Sequence, residues 1–411
     1  MHPKAVDALR SRVAGLVKQT QLDGQFPVHE SCREHINALT RHLLKEKSAW
    51  LADIDVYSIC LRYIAQAVSA SEVSSSAGVV PLTSVLSEPA QEALTSGLTD
   101  FLVSIPRGYR ASLQLPPLSI AGARMEVREG MAVVFPSSET APQSQSRLRG
   151  LLDVMSATDS FTPPTLEVEV QGYAGFGPDT SAARSSITAF KIAMQQLLNR
   201  RVVRRRFGLI ANAMSGWSNP NAYTVPKHYI HFLDLASDGF QAPNVELSID
   251  ICQFIDSHEF SFATEGPEAR REELLSALKL VASLLNSSAE GSGRLRAACE
   301  WRFDAYLSAN PAISLVQTSI GLESLFGEDD EAAGPLTRML ADRCAYLIGP
   351  NIAGRRNIRE NFTKFYRARS KVVHGNAIAL SEEDSQLLRW GQHILDIAIQ
   401  RELAHVLPRD A

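Results

Sequence analysis

Cysteine is scarce in this chain. Its 411 residues hold five, Cys32, Cys60, Cys252, Cys299 and Cys344, odd in number, scattered, and with no Cys-x-x-Cys pair. That excludes a disulfide framework and a thiolate metal ribbon, and it reads as reduced, mostly buried thiols of a cytoplasmic protein. No Gly-Lys dipeptide occurs, so there is no P-loop. No uninterrupted apolar run reaches the roughly 20 residues that span a bilayer, and the opening MHPKAVDALRSR lacks the apolar core of a signal peptide; no membrane partner is expected. An excess of charge of one sign is missing too. Lys and Arg total 41 against 45 Asp and Glu, a net charge of -4, so a polyanion could be met by a local patch but not along the whole chain.

The patterns that would hold a metal or a cofactor are also lacking. His29, Glu30 and His35 miss the HExxH spacing of a zinc helix, and His228 and His231 share a strand face without an obvious third ligand. GYAGFG (172–177) follows a strand and precedes a helix, but its glycines run in the reverse order of the dinucleotide fingerprint. Pro178 and Asp179 stand where a phosphate would want free amides. It reads as a flexible turn, and EDDE (328–331) reads as a solvated loop. No metal, no cofactor and no Ser–His–Asp or Cys–His nucleophile is expected.

What is present is an ordinary soluble composition, 45% hydrophobic and 21% charged, at a length that suits two or three domains. The fold class expected is α+β: a mixed helical and β-containing N-terminal part followed by an all-α bundle. Residues 1–75 form an N-terminal helical region, in which 1–70 read as helices, with Val6, Leu9, Val13, Leu16 and Val17 on one stripe and Trp50, Ile54, Tyr57, Leu61, Ile64 and Val68 on another. The Ser-rich SASEVSSSAG (69–78) marks a boundary. Residues 76–265 form an α+β middle domain of sensing or regulatory type. In it a helix with Pro89 in its first turn precedes the alternation of Tyr109, Ala111, Leu113 and Leu115, and RMEVREGMAVVF turns at Glu129-Gly130 as a hairpin. SSETAPQSQS (137–146) is a polar loop, LEVEV a strand, 182–199 a helix, and HYIHFLDL and VELSIDICQFI further strands. From 266 to 411 the periodicity places helices near 268–286, 293–308, 311–326, 335–348, 355–374 and 382–406, with the short turns of an antiparallel bundle.

One stretch concentrates charge. In 355–376, RRNIRENFTKFYRARSKVVHGN, the cations Arg355, Arg356, Arg359, Lys364, Arg367, Arg369 and Lys371 face a single acid, Glu360. Ile358, Phe362, Phe365 and Val372 recur at helical spacing, and Gly375 and Asn376 suit a helix C-cap. Arg369 falls inside the apolar stripe, where a charge is expensive unless paired. Glu323 and Arg343 interrupt the apolar faces of two other helices in the same way, so the three read either as a buried Arg–Glu–Arg cluster or as part of an active centre. On an ideal helix Arg369 and His374 point about 140° apart. A second basic run, RRVVRRR (200–206), ends a helix that also carries Arg184 and Lys191; it reads either as a solvated helix end or, because five arginines exceed what capping needs, as a phosphate contact that includes Arg204 and Arg205.

The run YRARSKVVHGN resembles the signature of HEPN domains, an Arg, a polar residue and a His at short spacing, and is most similar to the ApeA-like branch. GLESL (321–325) and DRCAYLIG (342–349) are similar to pieces of the same branch in the same order. The resemblance covers about residues 266–411 and implies a metal-independent endoribonuclease of bacterial antiphage-defence or toxin type. It implies Arg369, Ser370 and His374 in the catalytic role, with Glu323 and Arg343 behind Arg369. RNA contact would fall to Arg355, Arg356, Arg359, Lys364, Arg367 and Lys371, with Arg204 and Arg205 beside them. Cleavage by a 2′-hydroxyl needs a base, an acid and positive charge on the phosphate. One motif offers one histidine, so a homodimer through the C-terminal domain is expected, with a trigger ligand or protein at the N-terminal part. The alternative is a catalytically silent HEPN-like module for dimerisation and RNA or protein binding.

Overall fold

The computed structural model describes residues 1–71, 78–118, 120–135, 164–206, 227–236, 242–327, 336–375 and 379–407. The polar 137–146 segment and the acidic 328–331 run lie outside them, as does most of the Ser-rich boundary. The fold is α+β with a helical C-terminal region. Among the described residues no helix is long and apolar enough to cross a membrane. Two compact units interleave along the sequence: the first takes 1–111, 169–186 and 230–246, the second 112–168, 187–229 and 247–411. The stretch 76–265 therefore contributes to both.

The first unit is built on α1 (Pro3–Gln19), α2 (His29–Lys47), α3 (Asp53–Ser69), α4 (Leu82–Val85) and α5 (Glu88–Ser104). Leu9, Val13 and Leu16 of α1, Ile36, Leu39 and Leu43 of α2 and Leu98 and Leu102 of α5 are buried in one core, as their three- and four-residue spacing requires. An all-helical reading of residues 1–70 is corrected here. β1 (Gln21–Asp23) pairs antiparallel with β2 (Phe26–Pro27) and with β3 (Val79–Pro81), because Gly24 at φ +61° closes a tight turn that helix cannot continue through. Lys47, buried at the end of α2, donates to the Val103 carbonyl at 2.9 Å and to that of Ile105, and so ties α2 to the end of α5.

β4 (Arg107–Gln114) alternates buried and half-buried residues along its whole length, as its sequence pattern predicts. In the first unit β9 (Tyr229–Asp234) lies between β4 and β10 (Val245–Glu246). Arg107 of β4 and Asp234 of β9 form an ion pair at 2.8 Å that is closed off from solvent. GYAGFG is not a loose turn: Gly172 has φ +145°, Tyr173 and Ala174 are buried, and Ser181 Oγ accepts from the Tyr173 N–H at 2.9 Å while donating to the Trp50 carbonyl at 2.7 Å.

In the second unit β5 (Arg124–Arg128) and β6 (Met131–Val134) form the expected hairpin, with Gly130 at φ +79°, and β6 pairs antiparallel with β7 (Thr165–Gly172). β4, β7 and α6 (Ser181–Asn199) each run from one unit into the other. The VELSIDICQFI segment is a strand only at its start, in β10. After β10 it turns at Ser248 into α7 (Ile249–Ser257), because Ile251, Cys252, Phe254 and Ile255 bury at helical spacing. RRVVRRR leaves the helix as well. Arg201 takes a left-handed φ of +61°, and Val203–Arg205 becomes β8, paired antiparallel with β11 (His258–Phe260).

Six helices complete the second unit: α8 (Pro267–Asn286), α9 (Ser292–Leu307), α10 (Pro311–Phe326), α11 (Leu336–Ile348), α12 (Ile352–Val373) and α13 (Glu382–Val406). Their bounds fall within a few residues of those predicted. α9 packs on α10, α11 on α12, and α13 against α9, α10 and α12. Phe362 and Phe365 of α12 meet Trp390 of α13, and Gly391 leaves room for the Phe365 ring.

Candidate active site

α12 starts where the Asn351 side chain accepts the Gly354 N–H at 2.8 Å, and it ends where Gly375, at φ +71°, donates to the Val372 carbonyl. Between these caps it has two unlike faces. Ile358, Phe362 and Phe365 are buried, and Arg369 projects from the middle of that stripe. The exposed Arg356, Lys364, Arg367 and Lys371 lie roughly 140–220° around the axis from it. Arg369 thus belongs to the packed side of the helix and the other cations to the solvent side.

Arg369 meets Glu323 of α10: its Nη2 lies 3.8 Å from Oε1, with the two side chains 30% and 28% exposed. Its Nε is buried and finds no hydrogen-bond partner among the described residues. The pair is long and only partly satisfied, so the guanidinium keeps donors to spare. Tyr366, buried one turn earlier, sends its hydroxyl toward the Ser319 carbonyl at 3.4 Å. Burial and the neighbouring Glu323 carboxylate hold that phenol far above its ordinary range, so it stays protonated. Cys344 of α11 is pushed up to about 12 by burial and supplies no thiolate here.

Arg343 Nη1 donates to the Phe326 carbonyl at 2.6 Å, closing the C-terminal turn of α10, the turn that also carries Glu323. Ser370 is half-buried. His374 is the C-cap residue itself, exposed, with its backbone N–H on the Ser370 carbonyl. Arg369 and His374 therefore sit at one end of one helix, the first on its packed side and the second at its exposed C-cap.

The basic residues divide into paired and unpaired sets. Arg359 is held by Asp342 of α11, and Arg355 and Arg359 both stack on Tyr346 with guanidinium carbons 4.8 and 5.4 Å from the ring centre. Lys371 reaches Asp384 of α13 at 3.4 Å. Arg356, Lys364 and Arg367 make no ion pair among the described residues and are exposed. Arg204 and Arg205 lie on β8 instead, Arg204 facing Glu259 at 3.2 Å. The structure thus brings Glu323 to Arg369, leaves Ser370 and His374 in the last turns of the same helix, and puts Arg204 and Arg205 on β8.

Sequence reasoning gave no roles to Tyr366, Asp342, Tyr346 and Asp384. Asp342 and Tyr346 share one face of α11 at a four-residue spacing, a signal in principle. That they meet the cations of α12 is decided only by how the two helices pack. No family model, no curated protein and no solved structure matches this chain.

Proposed function

We propose that the second unit is a metal-independent endoribonuclease of bacterial antiphage-defence or toxin type, acting as a homodimer. The observation that supports it is the half-buried Arg369, loosely held by Glu323 and with donors to spare, one turn from an exposed His374 on a helix whose outer face is basic. In this reading His374 of one protomer takes the proton of a ribose 2′-hydroxyl. The 2′-oxygen bonds to phosphorus, the P–O5′ bond breaks, and the second protomer's His374 protonates the leaving oxygen. The products are a 2′,3′-cyclic phosphate and a 5′-hydroxyl. Arg369 and Ser370 hold the phosphate as charge gathers on it. Arg356, Lys364 and Arg367, free of internal ion pairs among the described residues, supply the longer-range attraction for RNA, and this binding weakens with salt.

The roughly 140° that five residues turn on an ideal helix separates Arg369 from His374 and favours a site completed by two chains over one built within a single copy. A second reading rests on the Glu323–Arg369 contact itself: a catalytically silent HEPN-like module for dimerisation and RNA or protein binding, in which that pair only fixes helix register. Purified full-length protein incubated with total RNA in EDTA separates the two. The nuclease reading expects cleavage that His374→Ala abolishes without changing the melting temperature. Cleavage by His374→Ala at the wild-type rate, or no cleavage by the wild type, contradicts it.

A further inference from the structure

Away from α12, the second unit holds a hollow of about 610 Å3 whose walls come from the end of α6, β8, α9 and α13. That volume falls within the range of small-molecule pockets, roughly 300–1,000 Å3. Five arginines line it, Arg201, Arg204, Arg205, Arg302 and Arg401, against one acid, Asp396. Asp396 is already spent: Arg302 grips it through Nε and Nη2, both at 2.8 Å. Arg204 turns to Glu259. Arg201, Arg205 and Arg401 remain, exposed and without an ion pair among the described residues.

Three like charges around one small hollow repel each other, and a multiply charged anion between them relieves that repulsion. The negative end of α6 does not supply the counter-charge, because its last carbonyls are taken up: Arg200 N–H bonds Gln196, Arg201 N–H bonds Leu198 and Val202 N–H bonds Leu197. The left-handed backbone at Arg201 makes this closure and sets that side chain at the rim of the hollow.

The rest of the lining suits an aromatic ring. Leu198 and Ile397 are apolar and half-buried, and Tyr306 is 38% exposed. Its hydroxyl is fixed from behind: it lies 2.7 Å from His258 Nε2, while His258 Nδ1 lies 3.0 Å from the Phe254 carbonyl. Burial drives the His258 pKa down to about 4, so the ring is neutral near pH 7. Its Nδ1–H donates to Phe254, Nε2 accepts the Tyr306 proton, and the phenol ring is held in place. Asn199 and Gln400 add amide edges beside it.

We propose that this hollow binds a nucleoside di- or triphosphate, with its phosphates on Arg201, Arg205 and Arg401 and its base against Tyr306. A hollow of this volume is of small-molecule size, and no residue of α12 lines it. The site goes beyond the ribonuclease reading and stands whether or not the chain cuts RNA.

Isothermal titration of the full-length protein with ATP, GTP, pyrophosphate and a single-stranded RNA dodecamer tests it. At least one of the two nucleotides is expected to bind with a Kd below about 0.1 mM. Arg205→Ala and Arg401→Ala are each expected to weaken binding by about tenfold or more, as loss of a charged hydrogen bond does. On the wild-type protein, the bound nucleotide is expected to slow phenylglyoxal modification of Arg205 and Arg401, read by peptide mass spectrometry, which keeps the test valid if a variant fails to fold. Absence of nucleotide binding at millimolar concentration, affinity unchanged in both variants, or no protection of either arginine overturns the proposal. So does pyrophosphate binding as tightly as the nucleotides, or the dodecamer binding there while nucleotides do not.

Discussion

Replacing Glu323 with Gln removes the carboxylate charge that lies 3.8 Å from the Arg369 guanidinium and nearly preserves the side-chain shape. At that separation the bare attraction is about 4 kcal/mol for an effective dielectric constant near 20. Both groups are about 30% exposed, so water screens much of it and desolvation offsets much of the rest. A net coupling of about 1 kcal/mol is left. The two single changes should differ in sign or size. Glu323→Gln strands a half-buried cation and destabilises by about 1 kcal/mol. Arg369→Met removes the buried Nε, which has no hydrogen-bond partner among the described residues, together with the charge, and sets an apolar chain one turn beyond Phe365, so it is expected to be close to neutral or stabilising. Urea denaturation of the wild type, the two single variants and the double variant closes the cycle. Arg107 and Asp234, 2.8 Å apart and almost solvent-free, provide the contrast: removing one partner there should cost about 3–5 kcal/mol. A Glu323–Arg369 coupling below about 0.3 kcal/mol would refute the pairing as an energetic feature. If Glu323→Gln then cuts RNA normally too, it has no positioning role either.

Three further outcomes are expected. Gly391→Ala places a methyl 2.8 Å from Phe365 Cδ2, inside a packed helix contact, so overpacking of about 1–3 kcal/mol should outweigh the roughly 1 kcal/mol gained in helix propensity, and a raised melting temperature would contradict it. The depressed pKa of His258 means the unfolded chain binds the extra proton between about pH 6.5 and 4. The stability it contributes is full above the upper value and is lost as pH falls through that window, about 3 kcal/mol in all. Denaturation curves of wild type and His258→Gln between pH 7 and 5 check this, and parallel pH slopes would exclude it. For the nuclease reading, mixing Arg369→Ala chains with His374→Ala chains should recover part of the activity; full activity of a protein that light scattering shows to be monomeric would rule out a shared site.

The physics of local patterning was sufficient for much of this fold. The apolar stripes of α1 and α8–α13, the alternation in β4 and the Glu129-Gly130 hairpin each state their structure within a dozen residues, because burial of one face is a local, periodic demand. So is the placing of Arg369 on a packed face and His374 at a helix end. VELSIDICQFI misled because an apolar run of that length fits a strand or a short buried helix equally, and only its neighbours choose. The pairing of cations was not legible. That Asp342 and Asp384 hold Arg359 and Lys371 while Arg356, Lys364 and Arg367 make no ion pair among the described residues depends on how α11 and α13 pack around α12. The arginine-lined hollow is the clearest case. Arg205, Arg302 and Arg401 are separated by about a hundred residues at each step, and nothing in their own segments marks them as neighbours; three elements packed in three dimensions bring their charges around one space.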